Sequence, residues 1–525
     1  MVGCVQSAAV LGIDGYPLRV EVDVSNGLPA FEIVGLPDAA VREARERVRS
    51  AIRNSGYEFP NRRITVNLSP ARVRKEGPAY DLPIALGVLV ASGQLGPQLC
   101  EGIAFLGELS LDARLRPVTG VLPAAAALRR CGCRTLVVPA DNAREAELVT
   151  DLTVRAADSL TAVIAGMASG EWGAGGRCAP RESSGGTGTG GGDGQRRGLG
   201  EVGAPGDPPD LAEIRGQTAA KRALEIAAAG GHHLLFIGPP GTGKTMLARA
   251  LAGILPPLTD REALEVTTIA SVAGLLCDGA LIRRRPFRAP HHTASPTALV
   301  GGGRVPQPGE ISLAHCGVLF LDELPEFRRD SLEALRQPLE SGQVTILRGG
   351  VSATFPARFA LVGAMNPCQC GHRGEPDAVC TCTPAQVQHY LAKLSGPLLD
   401  RIDLVVHVGR MSYEELTAAA AGAESSSAVA ARVAACRAVQ HDRLDGSPWL
   451  VNAALPGPLV RQFCAPDRDG ARLLGAAFER LRLSNRAHDR ILRVARTIAD
   501  LEGAALVGAP HIAEAIQFCG AEVLG

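Results

Sequence analysis

Eight residues, Gly238-Pro239-Pro240-Gly241-Thr242-Gly243-Lys244-Thr245, constrain this chain more than any other stretch. They fit the pattern G-x-x-x-x-G-K-[ST]. The apolar run HLLFIG precedes them, and TMLARALAGIL, spaced as a helix, follows. Strand, glycine-rich loop and helix in that order predict a phosphate cradle. The glycines let backbone N–H groups turn inward, and the helix N-terminus adds its partial positive charge. In such a cradle Lys244 would neutralise the β- and γ-phosphates of ATP, and the Thr245 hydroxyl would ligate Mg²⁺. A chance glycine-rich turn would need neither flanking element.

Two later segments supply what a phosphate loop lacks. Gly317-Val-Leu-Phe-Leu-Asp322-Glu323 is an apolar strand that ends in two carboxylates. Asp322 there can hold the Mg²⁺ shell, and Glu323 can orient or deprotonate an attacking water. Arg358-Phe-Ala-Leu-Val-Gly-Ala-Met-Asn366 is a third apolar strand, ending in an amide suited to the γ-phosphate and water. Three apolar strands that each deliver polar residues at the C-terminal end predict a parallel α/β sheet.

The 525 residues suggest about three domains. From Gly170 to Pro209 the composition shifts to Gly, Ser, Pro and Arg, and seven of the ten residues from Gly185 to Gly194 are glycine. That stretch cannot bury enough apolar surface to offset its ordering entropy, so a flexible tether is expected. Before it, LRVEVDVS and RRITVNLSP alternate as strands do, and DAAVREARERVRSAIRNSG has helical spacing with Gly56 as its stop. TLVVPADNAREAELV reads as a buried strand and then a capped helix. From about Tyr413 onward, Ala, Leu and Arg recur at helical spacing with no strand signal, which predicts a helical lid.

Lys+Arg and Asp+Glu both number 54, which excludes a basic coat over the whole surface but leaves a local basic stripe open. Arg, Asp or Gly interrupts every apolar stretch before membrane-spanning length, so no membrane partner is expected. Met1 to Val10 has no basic region before its short apolar run, so a secretory signal is not expected and the cytoplasm is. In that setting the 14 cysteines read as reduced thiols or metal ligands.

Residues 210 to 520 resemble an AAA+ ATPase module of the magnesium-chelatase-like kind. The whole chain outside the tether resembles the YifB/ComM family, which adds an N-terminal Lon-protease-like domain. The most specific segments are RPFRAPHHTASPTALVGGG, PGEISLAHCGVLFLDELPEF, MNPCQCG and GPLLDRIDL. The resemblance implies four parts: an α+β domain of the ribosomal S5 domain 2-like kind (1–168), the tether (169–209), the α/β P-loop ATPase core (210–410) and the helical lid (411–525). It matches Lys244 and Thr245 to the phosphate-loop ligands, Asp322 and Glu323 to the metal-binding and catalytic acids, and Asn366 to the sensor that positions water. It also matches Arg401 to an arginine finger that reaches a neighbouring subunit's site, and Arg486, with Arg490 as the alternative, to a sensor arginine on the lid. A finger acting from the neighbour implies a ring, a homo-hexamer. The bland alternative for Arg401 is a salt bridge to Asp400 or Asp403.

Between the nucleotide motifs, Leu281 to His292 resembles the helix-2 insert of this clade, and the segment around Arg348 reads as a β-hairpin. In ring-shaped relatives both point into the central channel. Arg283, Arg284, Arg285, Arg288 and Arg348 are then candidates to grip DNA phosphates, or else to sit at subunit interfaces. His291 and His292, adjacent on extended chain, are expected to point apart and to be structural. Cys368, Cys370, Cys380 and Cys382 form C-x-C-x9-C-x-C, either a tetrahedral zinc site or four reduced thiols. Lys75-Glu-Gly-Pro-Ala79 resembles the Lon proteolytic segment, but Ala79 stands at the nucleophile's position. No lysine falls near Leu122, where the partner base would be, so a non-proteolytic domain is expected.

The resemblance thus implies an ATP- and Mg²⁺-dependent motor on single-stranded or branched DNA, a helicase or branch-migration activity in recombination or natural transformation. The alternative is a magnesium-chelatase-like or protein-remodelling ATPase that does not act on DNA. A protease is opposed by Ala79, and a dead scaffold by the intact Lys244, Asp322, Glu323 and Asn366.

Overall fold

The structure, a computed structural model, describes residues 2–71, 74–172, 207–276, 278–303, 305–348, 351–375, 379–411, 424–447 and 451–519. Most of the expected tether (173–206) lies outside the described residues. So does the tip of the hairpin, residues 349–350.

Val2–Leu11, which alternates over its first half, and Asp14–Ser25 make one antiparallel hairpin at the centre of a seven-stranded mixed sheet. Its order is Ala30–Val34, Arg63–Ser69, Asp14–Ser25, Val2–Leu11, Ile103–Phe105, Thr135–Pro139, Thr153–Ala157. The wholly buried helix Asp81–Ala91 and the alanine-rich helix Val121–Arg130 pack on the hairpin. Gly15 is needed for that approach, since a Cβ there would stand 2.0 Å from Pro123 O. The expected helix after Asp38 forms as Ala39–Arg42 and Ala44–Asn54, and Gly56 follows at φ 82°.

The second sheet has five strands in the order Phe287–Arg288, Val318–Leu321, Ala360–Met365, Leu234–Ile237, Leu404–His407, all parallel. Leu234, Leu235, Phe236, Val318 and Leu319 are each fully buried. Each such side chain adds about 1.5–3 kcal/mol of hydrophobic stabilisation, so the sheet is a rigid platform. Helices Thr218–Gly230 and Lys244–Ile254 flank it.

Past residue 423 the described residues form helices only, including Ser426–Arg443, Asn485–Leu501 and Ala509–Cys519. Val433, Ile491 and Val494 join the same core as Leu234 and Phe236, so the lid helices and the sheet share one interior. A buried polar chain reinforces that seam. His232 Nε2 and Thr497 Oγ1 are 2.9 Å apart, and Asn452 Nδ2 donates to Asp500 Oδ2 at 2.9 Å.

The N-terminal unit also packs directly on the second one, through the helix Val121–Arg130 against the helix Asp260–Ala273. Gly120 N–H donates to Ser271 O at 3.2 Å. The buried Glu145 carboxylate accepts from Leu122 N at 2.9 Å and from the Ser271 hydroxyl. A carboxylate left unpaired there would cost several kcal/mol, so these donors fix the contact. The turn at Gly12 lies on the hairpin formed by Gln343–Arg348 and Val351–Pro356, where a Cβ would come within 3.3 Å of Ala353 Cβ.

Candidate nucleotide site

The parallel register brings three strand ends together. Leu234–Ile237 runs beside Ala360–Met365, which runs beside Val318–Leu321, so Gly238, Asn366 and Asp322 emerge on one edge of the sheet. Gly238 has room only for hydrogen, because a Cβ would meet Val408 O at 2.1 Å. Gly241 and Gly243 take φ of 80° and 85°, and the space beside them is open, as a cradle for phosphate requires. Pro239 and Pro240 carry the loop between these glycines, and the Thr242 hydroxyl pins it by donating to Pro239 O at 3.0 Å.

Lys244 Nζ donates to Gly238 O and Pro239 O, each at 2.7 Å, and to Asn366 Oδ1 at 3.3 Å. Burial pushes its ammonium below the ordinary lysine range, and Asp322 and Glu323 act to raise it again. A partly desolvated cation held on neutral carbonyls gains from any phosphate that replaces them. The Thr245 hydroxyl donates to Asp322 Oδ2 at 3.0 Å, so the two expected Mg²⁺ ligands already converge. These donors and acceptors fit ATP with Mg²⁺, the lysine and loop N–H groups toward phosphate, Thr245 and Asp322 toward the metal. Glu323 follows at φ 51°, a left-handed conformation that costs a non-glycine residue about 1–2 kcal/mol and leaves its carboxylate exposed at the strand end. Its Oε2 lies 3.2 Å from His292 Nδ1.

Arg401 stands elsewhere. It precedes Leu404–His407, whose first residue pairs with Leu234, so it lies at the opposite edge of the sheet from Gly238. A four-residue strand alone spans about 13 Å. On that edge a cleft of about 670 Å³ separates sheet and lid, and Arg401 and Arg486 line it beside His233, Gly317 and Ala360. Arg401 is paired with Glu340 rather than with either neighbouring aspartate considered from the sequence. Burial, then the charges of Arg336 and Arg486, lower its pKa from the usual guanidinium value.

Sequence profiles give the same picture along the chain. Residues 210–416 match the family described as magnesium chelatase, subunit ChlI; residues 20–142 match subunit ChlI of Mg-chelatase; residues 423–519 match the ChlI C-terminal family. The YifB protein of Salmonella typhimurium is 46% identical over 98% of this chain and 96% of its own length. The competence protein ComM of Haemophilus influenzae is 44% identical over the same shares. The chain belongs to the YifB/ComM family. The magnesium-chelatase 67 kDa subunit of Heliobacterium mobile is 30% identical over 31% of this chain, which fits the family's chelatase-like AAA+ ATPase module.

Within this YifB/ComM chain several residues sit differently from the sequence reading. Arg486, matched to a sensor arginine on the lid, lies 3.9 Å from Asp400 on the Arg401 edge, because the lid packs against the N-terminal ends of the strands. Arg490 is engaged by the carbonyls of Ile402 and Cys519. Arg288 is buried in a two-pronged bond to Glu310 at 2.6 and 2.8 Å, and Arg285 holds Cys316 O and Glu262, so neither is free for DNA. Arg283 and Arg284 are exposed beside Asp260 and Asp207, and Arg348 is exposed at the end of the hairpin.

The two histidines do not point apart. Their rings lie 4.1 Å between centroids, and His292 reaches Glu323. The signal was strand order. Phe287–Arg288 pairs with Val318–Leu321, so residues just past Arg288 come beside Asp322 and Glu323.

The four cysteines converge. Cys368 Sγ is 3.3 Å from Cys370 Sγ and 3.7 Å from Cys380 Sγ, and Cys382 joins them with all four sulfurs within 4.8 Å of one another. In the N-terminal unit, Ala79 lines a cavity of about 210 Å³ together with Glu76, Gly77 and Thr119. No lysine lines it, and the buried Lys75 donates instead to Pro70 O.

Proposed function

We propose that this chain is a ring-forming ATPase, a homo-hexamer, that couples ATP hydrolysis to movement along single-stranded or branched DNA. The proposed role is that of a helicase or branch-migration motor in recombination or natural transformation. The observation that carries the ring is the separation of Arg401 and Arg486 from the chain's own phosphate loop. Two arginines on the far edge complete a site only in a neighbouring copy, in the heterologous contact from which rings are built. Support for DNA comes from the hairpin, whose end carries the exposed Leu347 and Arg348, and from a near full-length relative that bears the name competence protein. The proposed location is the cytoplasm, and no described helix is long and apolar enough to cross a membrane.

Bound ATP with Mg²⁺ supplies the phosphoryl group and the metal that neutralises its charge. The residues of this chain do the rest. Lys244 exchanges its two carbonyl partners for phosphate oxygens. Thr245 and Asp322 are the residues that would hold the metal. Glu323 takes a proton from water at its carboxylate, and Asn366 holds that water in line. Arg401 and Arg486 act on the neighbouring copy's site once Arg401 leaves Glu340. We also propose a structural Zn²⁺ on Cys368, Cys370, Cys380 and Cys382.

The test is steady-state ATP hydrolysis without DNA, with single-stranded DNA and with a four-way junction at low salt, with Lys244→Ala as control. DNA stimulation that fades as salt rises is expected. Turnover indifferent to every DNA would overturn the DNA motor. It would favour the second reading, a chelatase-like or protein-remodelling ATPase, which rests on the match to the magnesium-chelatase subunit.

A further inference from the structure

The cysteine cluster and the nucleotide site are mechanically one unit. Asn366, whose Oδ1 accepts from Lys244 Nζ at 3.3 Å, is separated from the fully buried Cys368 by a single proline. On the other side of the cluster, Gly371 sits at φ 86° so close to the phosphate loop that a Cβ there would stand 2.9 Å from Pro240 Cδ. The loop of cysteines is therefore tied to Asn366 through one proline and lies against Pro240, which shapes the cradle.

The sulfurs have the geometry of a closed metal site. Zinc–thiolate bonds of about 2.3 Å in a tetrahedron put sulfurs about 3.8 Å apart. The measured separations of 3.3, 3.6 and 3.7 Å lie near that edge and far from a disulfide's ~2.05 Å. By contrast, the trio Glu265, His315 and Cys316 is already satisfied: His315 bonds Glu265 at 3.0 Å and accepts from Arg358 N–H, so it has no atom left for a metal.

Taking the nucleotide reading above as its basis, we infer that one zinc ion on Cys368, Cys370, Cys380 and Cys382 braces Asn366 and Pro240, so that metal occupancy sets the affinity of the phosphate loop for nucleotide. Without the cation the sulfurs take up protons and lose the shared bonds that tie Cys368 and Cys370 to Cys380 and Cys382, so the two pairs would part. Gly371 would then leave Pro240, and Asn366 would lose its fixed distance to Lys244.

The experiment uses the full chain, purified under reducing conditions. Elemental analysis should give one zinc per chain, and cobalt exchange should give the intense thiolate-to-cobalt absorption of a four-sulfur site. Binding of a fluorescent ATP analogue is then followed before zinc removal, after removal with a thiol-reactive mercurial reversed by excess dithiothreitol and chelator, and after zinc is restored. Affinity should fall at least about tenfold, with circular dichroism unchanged, and recover with zinc; Cys380→Ser should behave as the stripped protein. Absence of zinc together with absence of the cobalt band overturns the site. Zinc present but affinity unchanged by its removal overturns the brace. If the zinc-loaded chain binds no ATP analogue, the nucleotide reading falls and the brace with it, while the zinc content still reports the site separately.

Discussion

His292 Nδ1 lies 3.2 Å from Glu323 Oε2, which joins a histidine outside the phosphate motifs to the carboxylate at the end of the central acidic strand. A carboxylate oxygen held this close to a ring nitrogen is less open to an incoming water, so this contact restrains a base. His292→Ala is expected to raise basal ATP turnover about two- to fivefold and to flatten any stimulation by DNA. Unchanged basal turnover would show that the contact does not restrain Glu323.

Lys244 and Glu323 should fail in different ways. Lys244→Ala removes the cation that holds phosphate, so nucleotide affinity should fall by about a hundredfold or more. Glu323→Gln keeps the shape of the site and removes the base. Affinity should then hold within about threefold while turnover drops about 10²- to 10⁴-fold. Fluorescent-nucleotide titration beside a phosphate-release assay separates the two. Full turnover in either variant would sink the assignment.

What the sequence made legible, and what it did not, follows from how local each signal is. The phosphate loop, the acidic strand end and Asn366 could be read because each needs only a run of apolar residues and the few that follow it. The parallel sheet followed from all three ending in the same way. Which edge of the sheet Arg486 faces was not legible, because that depends on where the helix Asn485–Leu501 meets the sheet, and helical spacing carries no such information. His292 was misread for a related reason. Its partner is set by the pairing of Phe287–Arg288 with Val318–Leu321, a strand too short to be heard in the sequence. The cysteine spacing allowed two outcomes, and only the folded loop brings the sulfurs together.

The cavity beside Ala79 invites a repair experiment. Ala79→Ser restores a hydroxyl, but a serine nucleophile needs a base within hydrogen-bond reach. No lysine lines the cavity, Leu122 is buried in the helix Val121–Arg130, and Lys75 is committed to Pro70 O. Casein and self-cleavage assays on Ala79→Ser, with ATP, should therefore remain at background. Peptidase activity would mean that another base enters the cavity.

Arg401 and Arg486 share the far edge of the sheet, and this makes a complementation test decisive. Arg401→Ala alone should lose at least about a hundredfold in turnover while still binding nucleotide, since an arginine acting on the transferring phosphoryl group supplies that much or more. Lys244→Ala should be inactive for lack of binding. In an equal mixture, an Arg401→Ala copy with an intact phosphate loop meets a Lys244→Ala copy with an intact arginine at roughly a quarter of the heterologous contacts, so turnover should return to about that share of wild type. Arg486→Ala mixed with Lys244→Ala should recover in the same way, because Arg486 lies 3.9 Å from Asp400 on the Arg401 side and away from its own Lys244. Recovery with Arg401→Ala but not with Arg486→Ala would return the lid arginine to its own subunit's site. No recovery with either would remove the case for a shared site.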